Sequence, residues 1–204
     1  LDPFRGEIFS WLGRAYTLMA EELVDKERNQ TFVYALTAWQ EAISSDPRNV
    51  DYLNGLGLTY SKIDSISAAI EIWERARKIN PNNVETINNL GAIYLKQGKV
   101  QIAKEMLFRV TSLAPQQMEA WANLSVIYQY ETDWERAIEA MKRVILISPN
   151  QLDHHLRMID LFIELEYFDK AMLAVVNAQR FHPDSRELTK ATQNIIRMAQ
   201  KGKL

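Results

Sequence analysis

The sequence predicts an all-α protein, a solenoid of five helix pairs closed by a C-terminal capping helix, and three observations predict it. Apart from Pro3, the prolines fall at Pro47, Pro81, Pro115, Pro149 and Pro183, a constant step of 34 residues. A fixed period between about 20 and 50 residues marks a repeat array in which each period is one supersecondary unit. Other residue types keep the same phase: Ala35, Ala69, Ala103, Ala137 and Ala171 share one register, and Tyr16, Tyr60, Tyr94, Tyr128 and Phe162 share another. Within each period the apolar positions have i, i+3, i+4, i+7 spacing in the first half and i, i+4, i+7 spacing in the second, which is the signature of two amphipathic helices, A and B.

The elements follow in order along the chain. The repeats span residues 6–49, 50–83, 84–117, 118–151 and 152–183 (or 185), and the cap spans 184–201, all within one domain of residues 1–204. Small residues such as Gly13, Gly57, Gly91 and Ser125 on helix A face the phased alanines on helix B and let the two helices approach. Large residues (Trp39, Trp73, Trp121 and the tyrosines) fill the space beside them, and Leu12, Leu56, Leu90, Leu124 and Met158 complete the A-helix core stripe. Helix B of each repeat ends before its proline, which lacks an N–H and disfavours helix at the residue before it. In the first repeat Gly13 and Ala35 lie 22 apart, against 12 between Gly57 and Ala69, so 10 inserted residues lengthen both helices by about a turn. The fifth repeat is the least regular, with His155, Ile159 and Val175 at registers held elsewhere by aromatics or glycine. In the closing segment Asp184 and Glu187 fit a capping box, and Leu188, Ala191, Ile195 and Met198 form one apolar stripe.

Composition narrows the function classes. The chain has 204 residues, 47% of them hydrophobic, with 24 basic and 26 acidic residues, a net charge of -2 and pI near 6.0, so no electrostatic footprint for nucleic acid or anionic lipid is present. Zero cysteines exclude disulfides, thiolate metal sites and cysteine nucleophiles. The longest aliphatic run, Val144-Ile145-Leu146-Ile147, falls far short of the roughly 18 residues of a membrane span. The sequence starts at Leu1 without a methionine or an apolar leader, which leaves room for an upstream signal or anchor and leaves the compartment open between cytoplasm, periplasm and a tethered soluble domain.

Catalytic and cofactor motifs are absent. His154 and His155 are adjacent on a helix and point about 100° apart, so they do not chelate one metal. Gly55-Leu56-Gly57 begins like a dinucleotide fingerprint, but Tyr60 stands at the third glycine position and no strand precedes it. No nucleophile elbow, phosphate loop or histidine–glutamate zinc pattern occurs. The sequence therefore predicts no enzyme, no cofactor and no metal.

The 34-residue helix–turn–helix pattern, with its tryptophan, leucine-glycine, tyrosine, alanine, alanine and proline registers, resembles the tetratricopeptide repeats. The resemblance implies a right-handed superhelix in which stacked A helices line a concave groove for an extended peptide or a helix of a partner. It places Asn54, Leu58 and Lys62, then Asn88, Asn89, Ala92 and Lys96, then Asn123, Val126 and Tyr130, and finally Arg157 and Asp160 on the groove face. Six acids (Asp51, Glu85, Glu119, Asp153, Asp160, Glu164) against three bases (Lys62, Lys96, Arg157) make that face mildly acidic. The position of Asp51, Glu85, Glu119 and Asp153 in the first helical turn also serves the helix dipole, whatever binds nearby. Asn is a poor helix former, and its amide both donates to and accepts from a peptide backbone, so the four asparagines read as peptide contacts. The lysine clamp by which some members hold an acidic C-terminus is missing, since Ser10, Arg14, Glu85 and Asn89 stand at its positions. The expected function is a non-enzymatic scaffold or adaptor. The alternative is a structural subunit, or an assembly factor that self-associates as a homodimer, acting through the apolar surface of the long first hairpin.

Overall fold

The computed structural model describes residues 4–201, so Pro3 lies outside it; among the described residues the chain is helical throughout, with α1 (Arg5–Glu22), α2 (Asp25–Ser45), α3 (Val50–Lys62), α4 (Ile66–Ile79), α5 (Val84–Lys96), α6 (Val100–Leu113), α7 (Met118–Tyr130), α8 (Trp134–Ile147), α9 (Leu152–Glu164), α10 (Phe168–Gln179) and α11 (Arg186–Lys201). These are five A–B pairs and a closing helix. The insertion lengthens both members of the first pair, to 18 residues in α1 and 21 in α2, where α3 and α4 have 13 and 14. The chain divides into two compact units, the first ending at Leu113 and the second starting at Ala114.

Local chemistry sets the helix ends. Asn49 Oδ1 accepts hydrogen bonds from the Asp51 and Tyr52 amides, Asn83 Oδ1 from Thr86, and Asp133 Oδ1 from Arg136, which satisfies first-turn N–H groups that have no helical partner. The A–B turns of the second to fifth pairs use one left-handed residue at one register: Asp64 (φ 59), Gly98 (φ 73), Thr132 (φ 57) and Glu166 (φ 57). Only Gly98 adopts that conformation without Cβ strain. At the closing helix the cap is Ser185, not the Asp184 the sequence suggests. Ser185 Oγ accepts from the Leu188 amide at 3.2 Å and donates to Glu187 Oε2 at 2.8 Å, because an N-cap oxygen must reach the N–H three residues on.

In the first unit the core is built around tryptophans gripped by glycines. Trp39 of α2 lies between Gly13 of α1 and Gly55 of α3; a Cβ on Gly13 would meet its ring at 2.7 Å, and one on Gly55 would collide with it too. Trp73 packs in the same way against Gly57, while Ala35, Ala69 and Ala103 are fully buried at the helix crossings. Leu12, expected in the core stripe, is 39% exposed. The buried line of α1 runs through Gly6, Gly13, Thr17 and Ala20, and Leu12 sits beside it. In the second unit Met141, Val144, Met158, Ile159, Phe162 and Val175 form a continuous core that α11 closes with Leu188 and Ile195. Each of those two side chains contributes about 1.5–3 kcal/mol of burial, so α11 is held as part of the unit. Met198, at the end of the predicted stripe, stays exposed.

Candidate functional site

The helix A face of the first unit holds a cavity of about 660 Å³ between α1 and α3. Its floor is Trp39, Thr17, Gly55 and Leu58; its rims are Arg14, Leu18 and Glu21 on α1, Asp51 and Lys62 on α3, and Glu85 reaching in from α5. The floor follows from packing. Gly13 and Gly55 leave room for the Trp39 ring to pass between α1 and α3, and its indole N–H points at Thr17 Oγ1 (3.4 Å), which in turn pairs with Thr59 Oγ1 at 2.9 Å. Thr17, bonded in turn to Thr59, thereby meets the polar edge of an indole that is 4% exposed, so Trp39 underlies the cavity while Leu58, 38% exposed, offers its apolar surface.

The rim charge is three carboxylates against two cations. Lys62 Nζ is 2.5 Å from Glu21, so that pair is internally neutralised. Burial, and then the negative charge of Asp51, push the Glu85 carboxyl above the usual carboxylate range, against smaller opposing contributions from Asn54 and Arg14. The Asp51 and Glu85 pair is therefore a locus where a hydrogen-bond donor or a cation is favoured.

Of the residues predicted from sequence, the cavity brings together Leu58 and Lys62, with Asp51 and Glu85 of the six groove-face acids. Asn54, expected to present its amide to a peptide, is fully buried: Nδ2 donates to Asn83 Oδ1 at 3.1 Å, and Oδ1 accepts from the Thr86 hydroxyl at 2.8 Å. It joins α3 to the start of α5. Asn88 is buried with Oδ1 unpartnered among the described residues, while Asn89 and Ala92 are half-buried. Lys96 pairs with Asp64 at 2.9 Å, across the A–B turn of the preceding repeat. In the second unit Asn123 and Val126 are half-buried on α7, Tyr130 and Arg157 are exposed, and partial burial raises the Asp160 carboxyl on α9.

Sequence reasoning missed Trp39 and the α1 rim. Trp39 sits at a core register, and only its contact with two glycines on different helices signals that its ring spans to the A face. His155 Nε2 lies 2.7 Å from the Pro149 carbonyl, which makes it the protonated nitrogen, and His154 Nε2 contacts Met118 Sδ at 3.0 Å. Among the described residues no three His, Asp or Glu side chains cluster to hold a metal ion, and no helix is long and apolar enough to cross a membrane.

Family models described as tetratricopeptide repeat match residues 64–125 and 119–151, in the phase of α4 to α8. The chain carries tetratricopeptide repeats. Solved structures with the same fold include MamA residues 41 to the end from Desulfovibrio magneticus RS-1 (TM-score 0.66, 18% identity, covering 86% of this chain and 97% of that one). Another is PilF of Pseudomonas aeruginosa (TM-score 0.70, 17% identity, 95% and 89% covered). A third is YrrB, described as a tetratricopeptide-repeat protein with an unusual peptide-binding site (TM-score 0.61, 20% identity, 87% and 90% covered). No curated protein matches the chain. At these identities the likeness to this repeat array is one of fold.

Proposed function

We propose that the chain is a non-enzymatic scaffold that holds an extended segment or helix of another protein against the A-helix face, with the cavity over Trp39 as its anchor point. The observation that carries this reading is the cavity itself: an aromatic and aliphatic floor of Trp39 and Leu58 under a rim with one excess negative charge. Such a site takes an apolar side chain or the stem of a lysine or arginine, whose head then meets Asp51 and Glu85. Neutral and basic segments are favoured and acidic C-terminal tails are disfavoured, in keeping with the missing lysine clamp. Because the rim charges are exposed and screened, the preference fades with salt. Fluorescence polarisation with labelled basic, neutral and acidic-tailed peptides tests it; tighter binding of the acidic tail would sink this reading.

A second reading rests on a separate observation. Phe4, Ile8, Trp11, Leu18 and Met19 are all exposed and share one face of α1. On this reading that face joins two copies of the chain or docks it on a larger assembly. Sedimentation velocity of the intact chain and of a variant with Ile8→Glu and Trp11→Glu, which lie outside the cavity over Trp39, decides between the two; a monomer at every concentration removes the homodimer.

A further inference from the structure

The second unit has a cavity of about 610 Å³ on its helix B side, between α8 and α10, floored by His155, Met158 and Phe162 of α9. The repeat array supplies its own control for how this space arises, because residues one or more periods of 34 apart occupy equivalent registers. Ala174 of α10 stands where α4 has Ile72, α6 has Met106 and α8 has Ala140; Met106 packs against the cluster of Trp73 and Leu90, and Ala140 is buried, whereas Ala174 lines the cavity. Asn177 stands where α4 and α6 have arginines that close the end of the same gap, with Arg75 donating to the Pro47 carbonyl at 2.7 Å and Arg109 bonding Asn82. Asn177, shorter than the arginine of every other B helix from α4 to α8, and Ala174, shorter than its counterparts in α4 and α6, thus leave the cleft open.

Its walls change in kind as well as size. On α4 the registers facing this gap hold Glu74, Arg77 and Lys78, with Glu74 Oε2 bonded to Arg77 at 2.7 Å and Tyr94 reaching Glu74 Oε1 at 3.4 Å. On α8 the same registers hold Lys142, Ile145 and Leu146, and on α10 Leu173 replaces Glu71 and Glu105. Leu146 is 72% exposed and Leu173 is 61% exposed, one on each bank of the cleft. Among the described residues the charged side chains lining it are Lys142 and Lys170, one on each flanking helix, and no carboxylate lines it. Lys142 has Glu139 at 3.6 Å, but that carboxylate also has Arg143 at 3.7 Å, and the Lys170 ammonium lies 4.4 Å from the centre of the Tyr167 ring. An apolar trough with positive charge on both sides is complementary to an acidic, apolar partner. The exposed leucines extend the apolar surface beyond the cavity, so a length of chain, rather than a small molecule filling the cavity alone, covers it.

We propose that the cleft between α8 and α10 is a second docking site, which takes an acidic segment of a partner protein, seats one bulky apolar side chain over Met158 and Phe162, and sets carboxylates against Lys142 and Lys170. Its charge preference is opposite to that of the cavity over Trp39, and it does not depend on that site. The test uses the whole chain and two labelled synthetic helical peptides with identical leucine and phenylalanine positions, one with glutamates and one with lysines at the polar positions, read by fluorescence polarisation. The acidic peptide binds. Ala174→Met, which restores the residue of α6 at this register, weakens it at least about tenfold by filling the seat of the apolar anchor. Lys142→Glu with Lys170→Glu weakens the acidic peptide by about fivefold and brings the lysine peptide onto the Ala174-sensitive site. Leu58→Glu, in the other unit, leaves the acidic peptide unaffected, which separates failure of this site from failure of the groove. Unchanged circular-dichroism melting of Ala174→Met shows that the fold is intact. The proposal is overturned if Ala174→Met binds the acidic peptide as well as the parent chain, or if charge reversal does not alter peptide preference. It is equally overturned if dodecanoate saturates the cleft while neither peptide binds there.

Discussion

A helical glycine is usually a weak point, worth about 1 kcal/mol less than alanine, yet Gly55 is where alanine would do more harm. Its missing Cβ is the space that the Trp39 ring occupies, and Gly13 clasps the same ring from α1. Overpacking against an indole that is 4% exposed outweighs the propensity gain, so Gly55→Ala should lower stability by about 1–3 kcal/mol in urea titration. A neutral or stabilising result would mean that the ring is free to move. Glu85 behaves in the opposite sense. Its carboxyl is raised by burial and by Asp51, so the folded chain holds that proton more tightly than the unfolded chain does. The contribution is favourable below the ordinary carboxylate range and is lost as pH rises through the raised value. Glu85→Gln should therefore raise the melting temperature at neutral pH, with the gap closing in acid, while weakening basic peptides at the cavity. An equal shift at every pH would take Asp51 and desolvation out of the account. Asn54 shows what a sequence reveals and what it hides. Helical phase placed Asn54, Leu58 and Lys62 on one face. It did not reveal depth, because Asn54 is drawn inward by two polar partners, Asn83 and Thr86, that lie about a repeat away in the chain.

At the scale of elements, the A–B turns and the α9 surroundings carry separable predictions. Thr132 holds a left-handed conformation (φ 57) that Gly98 reaches without strain at the same register. Thr132→Gly should stabilise the second unit by about 1 kcal/mol, measured by chemical denaturation, because removing the β-branched Cβ clash exceeds the added unfolded-state freedom. A loss of stability would show that the turn draws on the Thr132 side chain. On α9, burial and then Arg157 hold the His154 imidazole below its ordinary value of 6.5, with His155 acting in the same direction and Asp153 and Glu119 opposing. Its Nδ1 is buried without a partner among the described residues. The neutral form belongs to the folded state, so stability is complete above 6.5 and falls as pH drops from there through the lowered value. The protection factors of α9 amides, rates corrected for the intrinsic pH dependence of exchange, should fall over that window in the parent chain and stay flat in His154→Leu. The helix pairs themselves were legible because proline, alanine and tyrosine registers each repeat for an independent steric reason. The Ser185 cap and the exposure of Leu12 were not, since both depend on which neighbour is present rather than on spacing.

At the scale of the molecule, the chain is an array whose two compact units each carry a cavity, on the A side in the first and on the B side in the second. The repeat period predicted every helix pair, and the face expected to bind was chosen by analogy with the fold; the cavities lie where individual registers depart from the repeat, at Gly55, which admits the Trp39 ring where the next repeat has Asn89, and at Asn177, where α4, α6 and α8 have arginines. The central claim is that a partner segment anchors over Trp39 on the A face. Titration of the intact chain with a labelled basic peptide, read by polarisation and by the change in tryptophan emission, tests it most directly when repeated on Leu58→Glu and on Asp51→Lys with Glu85→Lys. The account predicts saturable binding that weakens with salt, is lost in Leu58→Glu, and shifts toward an acidic peptide in the charge-reversed variant. Binding that survives Leu58→Glu with the same affinity and the same charge preference would contradict it.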